Sequence, residues 1–164
     1  MTREISNLPQ ATMYLDIAKW GIETLTAGKL MGKPFRFQIV GILASLRAVQ
    51  HALLNHDSKL SEKHTELIEA WKKNTPMDGP EITFIKTSRD AILKAGDFDA
   101  YAISTESSVG EYSNREITRE DYETAYYKGG ERRDLLADMQ AAVKWCENQL
   151  QAISAQLPKM YAPE

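Results

Sequence analysis

Arg89 occupies an unusual position for a permanently charged side chain. In the stretch FIKTSRDAILKAG it stands four residues after Ile85 and three before Ile92, with Ile82 a further turn back. These three- and four-residue steps mark the buried stripe of a helix. An unpaired guanidinium is too costly to bury. Arg89 must therefore snorkel to water on its aliphatic stem, pair with Asp16, Glu23 or Asp90, or be presented in a groove to a phosphate. Arg36 and Arg47 are eleven residues apart, three helical turns, and share a face with Val40 and Leu54. Together with Arg89 they are candidates for an anion groove. Lys128, Arg132 and Arg133 surround the Gly-Gly step of YYKGGERR. The backbone N–H groups at a helix start there would favour an anion, although Glu131 opposes it. The commoner fate of all these cations is pairing with a neighbouring carboxylate.

The histidines give no metal motif. His51 and His56 are five residues apart and so point roughly 140° away from each other on a helix, and no HExxH is present. The expectation is three rim imidazoles and no metal or cofactor. His51 has one further option: lying about 40° around the helix from Arg47, it could join a composite site across a dimer. No P-loop, dinucleotide fingerprint or G-x-S-x-G nucleophile motif occurs. Cys146, the only cysteine, excludes an intrachain disulfide and reads as a small core residue.

The elements that must position these side chains follow from periodicity. The 164 residues fit one domain, with a core over about 9–157. A first helix is predicted from about Pro9 to Ala27, with Met13, Ile17, Trp20 and Thr24 or Leu25 as its stripe. A second, from about Pro34 to Asn55, carries Phe35, Ile39, Ile42, Leu46, Val49 and Leu53 on one side. Gly41, Ala44, Ser45, Ala48 and Ala52 lie on the other. A helix that can be approached closely from both sides is central to a bundle or lies at a subunit interface. A third helix follows Ser58 or Ser61 as N-cap and holds Leu67, Ile68 and Trp71. The fourth runs from about Pro80 to Lys94 and is capped by Gly96. Residues 97–117 break the pattern as an irregular or β-hairpin excursion, with Val109-Gly110 as a turn. Thr118 then opens a short helix, and the last helix spans about Arg132 to Leu157 along Leu135, Met139, Ala142, Val143, Cys146, Leu150, Ile153 and Leu157. The expected fold is all-α, an antiparallel bundle of about five helices.

The central helix PFRFQIVGILASLRAVQHALL, the IEAW helix, the Pro/Gly loop and the SRDAILKAG helix together resemble the HEPN superfamily. The resemblance covers about residues 35–96. It implies a compact helical bundle, a homodimer, and a ribonuclease ancestry in toxin and defence systems. The family signature is an Arg, often followed by Asn, with a His four to six residues beyond. Arg89 would be that Arg, and Asp90 stands where Asn is common. The His is missing, because positions 94 to 96 are Lys94, Ala95 and Gly96. Cleavage through a 2′-hydroxyl needs proton transfer. Arg89 is far too weak an acid for it, and Lys94 would be a poor base at neutral pH.

The resemblance therefore implies a degenerate site. The protein would act by binding a protein or a nucleic acid in a toxin, defence or regulatory setting. Two alternatives stand beside this reading. One is a metal-independent ribonuclease with a composite dimer site of Arg89, Lys94 and His51. The other is a small-ligand sensor with 97–117 as a lid. The formal charge of −3 disfavours a broad phosphate-gripping surface, and nothing marks DNA specificity. No secretory h-region or membrane-spanning run is evident, so the cytoplasm is expected.

Overall fold

The computed structural model describes residues 4–76, 78–90, 100–108, 118–128 and 130–161. Among these, five α-helices enclose one hydrophobic core: α1 (Pro9–Ala27), α2 (Gly32–Asn55), α3 (Glu62–Asn74), α4 (Pro80–Asp90) and α5 (Leu135–Ser154). A single 3₁₀ turn, Asp57–Lys59, joins α2 to α3. Strands β2 (Ala100–Ser108), β3 (Thr118–Lys128) and β4 (Glu131–Asp134) form an antiparallel sheet. Short strands β1 (Glu4–Ile5) and β5 (Met160–Tyr161) pair near the two chain ends.

The predicted seam of α2 is the centre of the core. Phe35, Ile39, Ile42, Leu46, Val49 and Leu53 are all buried, and the predicted seam of α5 is buried as well, from Leu135 to Leu157. The first helix turns the other way from its expected stripe. Met13, Ile17 and Trp20 are exposed, and α1 buries Ala11, Leu15, Ala18, Gly21, Ile22 and Leu25. The reason is close approach. Gly21 lies against Ile42, and its carbonyl accepts a hydrogen bond from Gln38 Nε2 at 3.0 Å. Small residues on α1 bring it onto the central helix more tightly than its large ones could. Towards the other end Tyr14 lines one hollow with Ala44, Ala48 and His51, so α1 and α2 run antiparallel.

The all-α expectation holds for the helices and fails for residues 100–134. Ala100 to Ser108 form β2, in keeping with a hairpin excursion, while the Val109-Gly110 turn lies outside the described residues. Thr118 begins strand β3 and not a helix. Tyr122, Thr124 and Tyr126 alternate towards the helices, the period of two that a strand requires. Tyr126 stacks on Phe84 with ring centroids 5.8 Å apart, and Tyr122 donates its hydroxyl hydrogen to the Leu30 carbonyl at 2.7 Å. Both contacts favour β3 as a strand over a helix at this place. The last helix starts at Leu135 rather than Arg132, because Lys128 and Glu131 close a β-hairpin through the Gly-Gly step. Gly130 takes the positive φ of +85° that such a two-residue turn asks for. Asp134 then caps α5, its carboxylate accepting from Ala137 N.

Ser61 is the N-cap of α3, as one of the two predicted serines. By length and composition alone Gly32–Lys59 would pass as a membrane span, which the sequence reading did not foresee. The apolar side of α2 is, however, occupied by the other helices of the core.

The tight Gly21 crossing yields a prediction. A methyl group on Gly21 would lie 2.6 Å from Ile42 Cγ1 and 3.1 Å from Gln38 Nε2. Gly21→Ala should therefore destabilise the fold by about 1–3 kcal/mol. Urea unfolding of the two proteins measures this, and an unchanged midpoint would contradict the crossing.

Candidate functional site

Among the described residues, the cations singled out from the sequence lie at separate places. The backbone of Arg89 closes the last turn of α4, on the line of Ile82 and Ile85. The Arg89 side chain, Lys94 and Gly96 lie outside the described residues. Arg36 is exposed near the start of α2, and Arg47 is half-buried eleven residues further on. That separation is about 16 Å along the helix, so these two do not share an anion.

Lys128, Arg132 and Arg133 sit on the β3–β4 hairpin and not at a helix start. Arg132 donates to Glu123 at 2.8 Å and to the Tyr101 hydroxyl at 3.1 Å. Arg133 grips both carboxylate oxygens of Asp138, at 3.0 and 3.2 Å. Tyr126 donates to the same Asp138 at 2.7 Å. Burial alone would raise the Asp138 carboxyl, but the bonds from Arg133 and Tyr126 hold it below the ordinary aspartate value. Burial, then the Asp138 contact, push the Tyr126 hydroxyl well up. The N–H groups of Leu136 and Ala137 at the start of α5 are taken by Thr124 Oγ1 and Asp134. Here the two arginines have the common structural fate, pairing with carboxylates.

The structure brings together a different set. His56 is the C-cap of α2 and its N–H still bonds the Ala52 carbonyl at 2.9 Å, so the pair sits on the last turn of the helix. The two imidazole rings lie 6.1 Å apart at 54°. They border an open hollow of about 530 Å³ whose lining includes Tyr14, Ala44, Arg47 and Ala48. Arg47 Nη1 donates to Gln50 Oε1 at 2.6 Å, which fixes the guanidinium at the rim. Arg47 also borders an apolar cleft inside the bundle, between Leu46, Ile85, Trp71 and Trp145. That cleft has room for about 20 Å³, one water molecule. Among the described residues no cluster of three or more His, Cys, Asp or Glu side chains could hold a metal. Sequence periodicity alone does not find the His51–His56 pair, because the helical angle does not fix the side-chain rotamers that set the ring positions.

The third histidine is structural. His64 is buried, and Nε2 donates to the Asn7 carbonyl at 2.9 Å, while Ser61 Oγ bonds Nδ1 at 2.7 Å. Asn7 in turn bonds Ser154 on α5 through both ends of its amide. Beside this clasp Asp57, with 0% of its surface exposed, accepts from the N–H groups of Gln10 and Ala11 at 3.1 and 2.8 Å. It thus caps α1 from a distant part of the chain. Cys146 is buried on the seam of α5, and burial pushes its thiol up to about 12.

A second part of the surface is apolar. Met13, Ile17 and Trp20 on α1, Met31 in the connection and Phe37 on α2 are all exposed, Trp20 by 65% and Phe37 by 78%. Phe37, Gly41, Ala44, Ala48 and His51 recur at steps of four and three along the outer side of α2. A Cβ added at Gly41 would meet nothing within 4 Å.

Scans against protein-family models, curated proteins and solved structures return no match to this chain.

The cap on α1 has a pH signature. Burial raises the Asp57 carboxyl above its usual value despite the two N–H bonds and the nearby His64 and His56. In the window just above the ordinary carboxylate range the folded state then binds more protons than the unfolded one. The contribution of Asp57 to stability accordingly falls as pH rises through that window. Asp57→Asn cannot accept from both N–H groups and should cost about 1–3 kcal/mol. The deficit of the variant should widen as pH falls from neutrality towards the carboxylate range. Denaturant melts across pH test this, and a deficit that shrinks on acidification would reverse the assignment.

Proposed function

We propose that this chain is a HEPN-like helical protein with a degenerate ribonuclease site, and that it works by binding as a two-fold pair. The observation that carries this reading is the exposed apolar side of the α1–α2 hairpin. Five of the large hydrophobic side chains most open to solvent lie on these two helices or on the connection between them. Singly exposed apolar residues need no explanation, but several gathered on one hairpin do. The outer line of α2 offers both a projecting ring, Phe37, and an open position, Gly41. A projection and a hole on one surface are what a second copy related by a two-fold axis can use reciprocally. Exposed charges around this side have mixed sign, Asp16 and Glu23 on α1 with Lys33 and Arg36 on α2, so two copies need not repel.

The setting we infer is cytoplasmic, in toxin, defence or regulatory systems, and the partner of the pair is a protein. The net charge of −3 and the pairing of Arg132 and Arg133 with carboxylates favour protein over nucleic acid. The order of the helices, with a long central α2 and a fourth helix ending in Arg89-Asp90, supports the HEPN-like reading. The sheet between α4 and α5 is an addition to an all-helical bundle.

Sedimentation and RNA incubation test the two halves of this proposal. The wild type should sediment at twice the 18.5 kDa of the chain. Trp20→Glu and Phe37→Glu should each give a monomer with unchanged helical circular dichroism. A wild type that remains monomeric at tens of micromolar sinks the pairing. The wild type should leave mixed RNA intact, and cleavage that Arg89→Ala abolishes would replace the binding reading with the enzyme.

A further inference from the structure

We infer that the hollow at the C-terminal end of α2 binds a phosphate group carried on a planar organic ligand, a nucleoside phosphate being the class it fits. This goes beyond the pairing proposed above: the hollow shares Ala44, Ala48 and His51 with the outer line of α2 but lies at the opposite end of that line from Phe37. Phe37 lies fourteen residues from His51, about 21 Å along the helix.

The first support is the chemistry of the rim. Arg47, His51 and His56 surround the hollow with the phenol of Tyr14, and among the described residues no carboxylate lines it. Asp57, next to His56 in the chain, is buried with its oxygens on the N–H groups of Gln10 and Ala11. A ring of N–H and O–H donors without an acid is built for an anion. The bond to Gln50 uses one N–H of the Arg47 guanidinium and leaves others to meet a ligand. The carbonyl end of α2 lies beside the start of the antiparallel α1, so the two helix dipoles offset each other there.

The second support is that the imidazoles are brought to one place. His51 in the last turn of α2 and His56 at its C-cap hold their rings 6.1 Å apart. A metal ion would explain a histidine pair equally well, but it needs a third or fourth ligand. None joins the pair among the described residues.

The third support is size and floor. A hollow of about 530 Å³ is in the range of small-molecule sites and far larger than a single phosphate needs. Ala44, Ala48 and Leu54 give its lining apolar surface, and Tyr14 adds an aromatic ring. Such a surface receives a flat ring system rather than a fully hydrated ion.

Calorimetric titration of the full chain with adenosine monophosphate, inorganic phosphate and adenosine tests the assignment. The nucleotide should bind at least about tenfold more tightly than either of the other two. Arg47→Gln and His51→Gln should each weaken nucleotide binding about 10–100-fold. His51 is exposed, so His51→Gln leaves the core untouched even if Arg47→Gln disturbs it. No nucleotide binding up to about 10 mM would overturn the proposal. So would binding unmoved by His51→Gln. Adenosine binding as well as the nucleotide would remove the phosphate from the assignment, and phosphate binding as well would remove the ring.

Discussion

The fold depends on one helix being shared. The inner side of α2, from Phe35 to Leu53, is the surface on which the other elements find their places. Each of its fully buried large side chains is worth roughly 1.5–3 kcal/mol relative to exposure, so the seam outweighs any other single feature of the molecule. Because α1, α4 and α5 all compete for that side, none of them covers the opposite one. The outer line of Phe37, Gly41, Ala44 and Ala48 is left to solvent as a direct consequence. A helix with two usable sides must leave one uncovered in a small single-layered bundle.

The chain ends are held by polar contacts instead. Asn7 joins the start of α1 to the end of α5 through Ser154 and to α3 through His64, while Asp57 satisfies two N–H groups at the start of α1. Buried polar groups of this kind contribute little in net energy when satisfied and cost much when one partner is lost. They therefore specify where α1 begins more than they stabilise it. That position fixes the phase of α1, and the phase decides that Gly21 meets Ile42 while Trp20 faces water. The exposure of the apolar ridge on α1 is thus set partly by a carboxylate and an amide some distance from it.

What could be read from the sequence follows the same physics. The seams of α2 and α5 were legible because large side chains at steps of three and four have one stable solution when buried on both flanks. The stripe of α1 was misread because size was taken as the criterion for burial. At a close crossing the small residues Ala11, Ala18 and Gly21 go inside together with Leu15, Ile22 and Leu25, while Met13, Ile17 and Trp20 face out. Thr118 with its acidic followers suggests a short helix, and the Gly-Gly step before a charged run suggests a connection to a last helix from about Arg132. The pairing of Tyr126 with Arg133 and Ala100 across the sheet decided otherwise. Local capping signals cannot anticipate a strand partner that is distant in the chain. The Arg132 and Arg133 contacts were legible only as their commoner alternative, salt bridges. The His51–His56 pair depends on side-chain rotamers at the last turn of α2, which the periodicity of the sequence does not encode.

Arg47 shows how the two sides of α2 connect. It borders the tight apolar cleft of the core on one side and the open hollow on the other, so its aliphatic stem and its guanidinium live in different environments. A lysine in its place could cover the same apolar surface but would bring a single mobile charge to the rim, without the planar, hydrogen-bonded orientation that Gln50 helps to set. The packing of the core and the chemistry of the rim therefore meet in one side chain. Any ligand gripped by that guanidinium would press on the same position that closes the cleft between Trp71 and Trp145. Binding at the hollow and tightness of the bundle would then be linked through the stem of Arg47, with no moving part beyond its own rotamer.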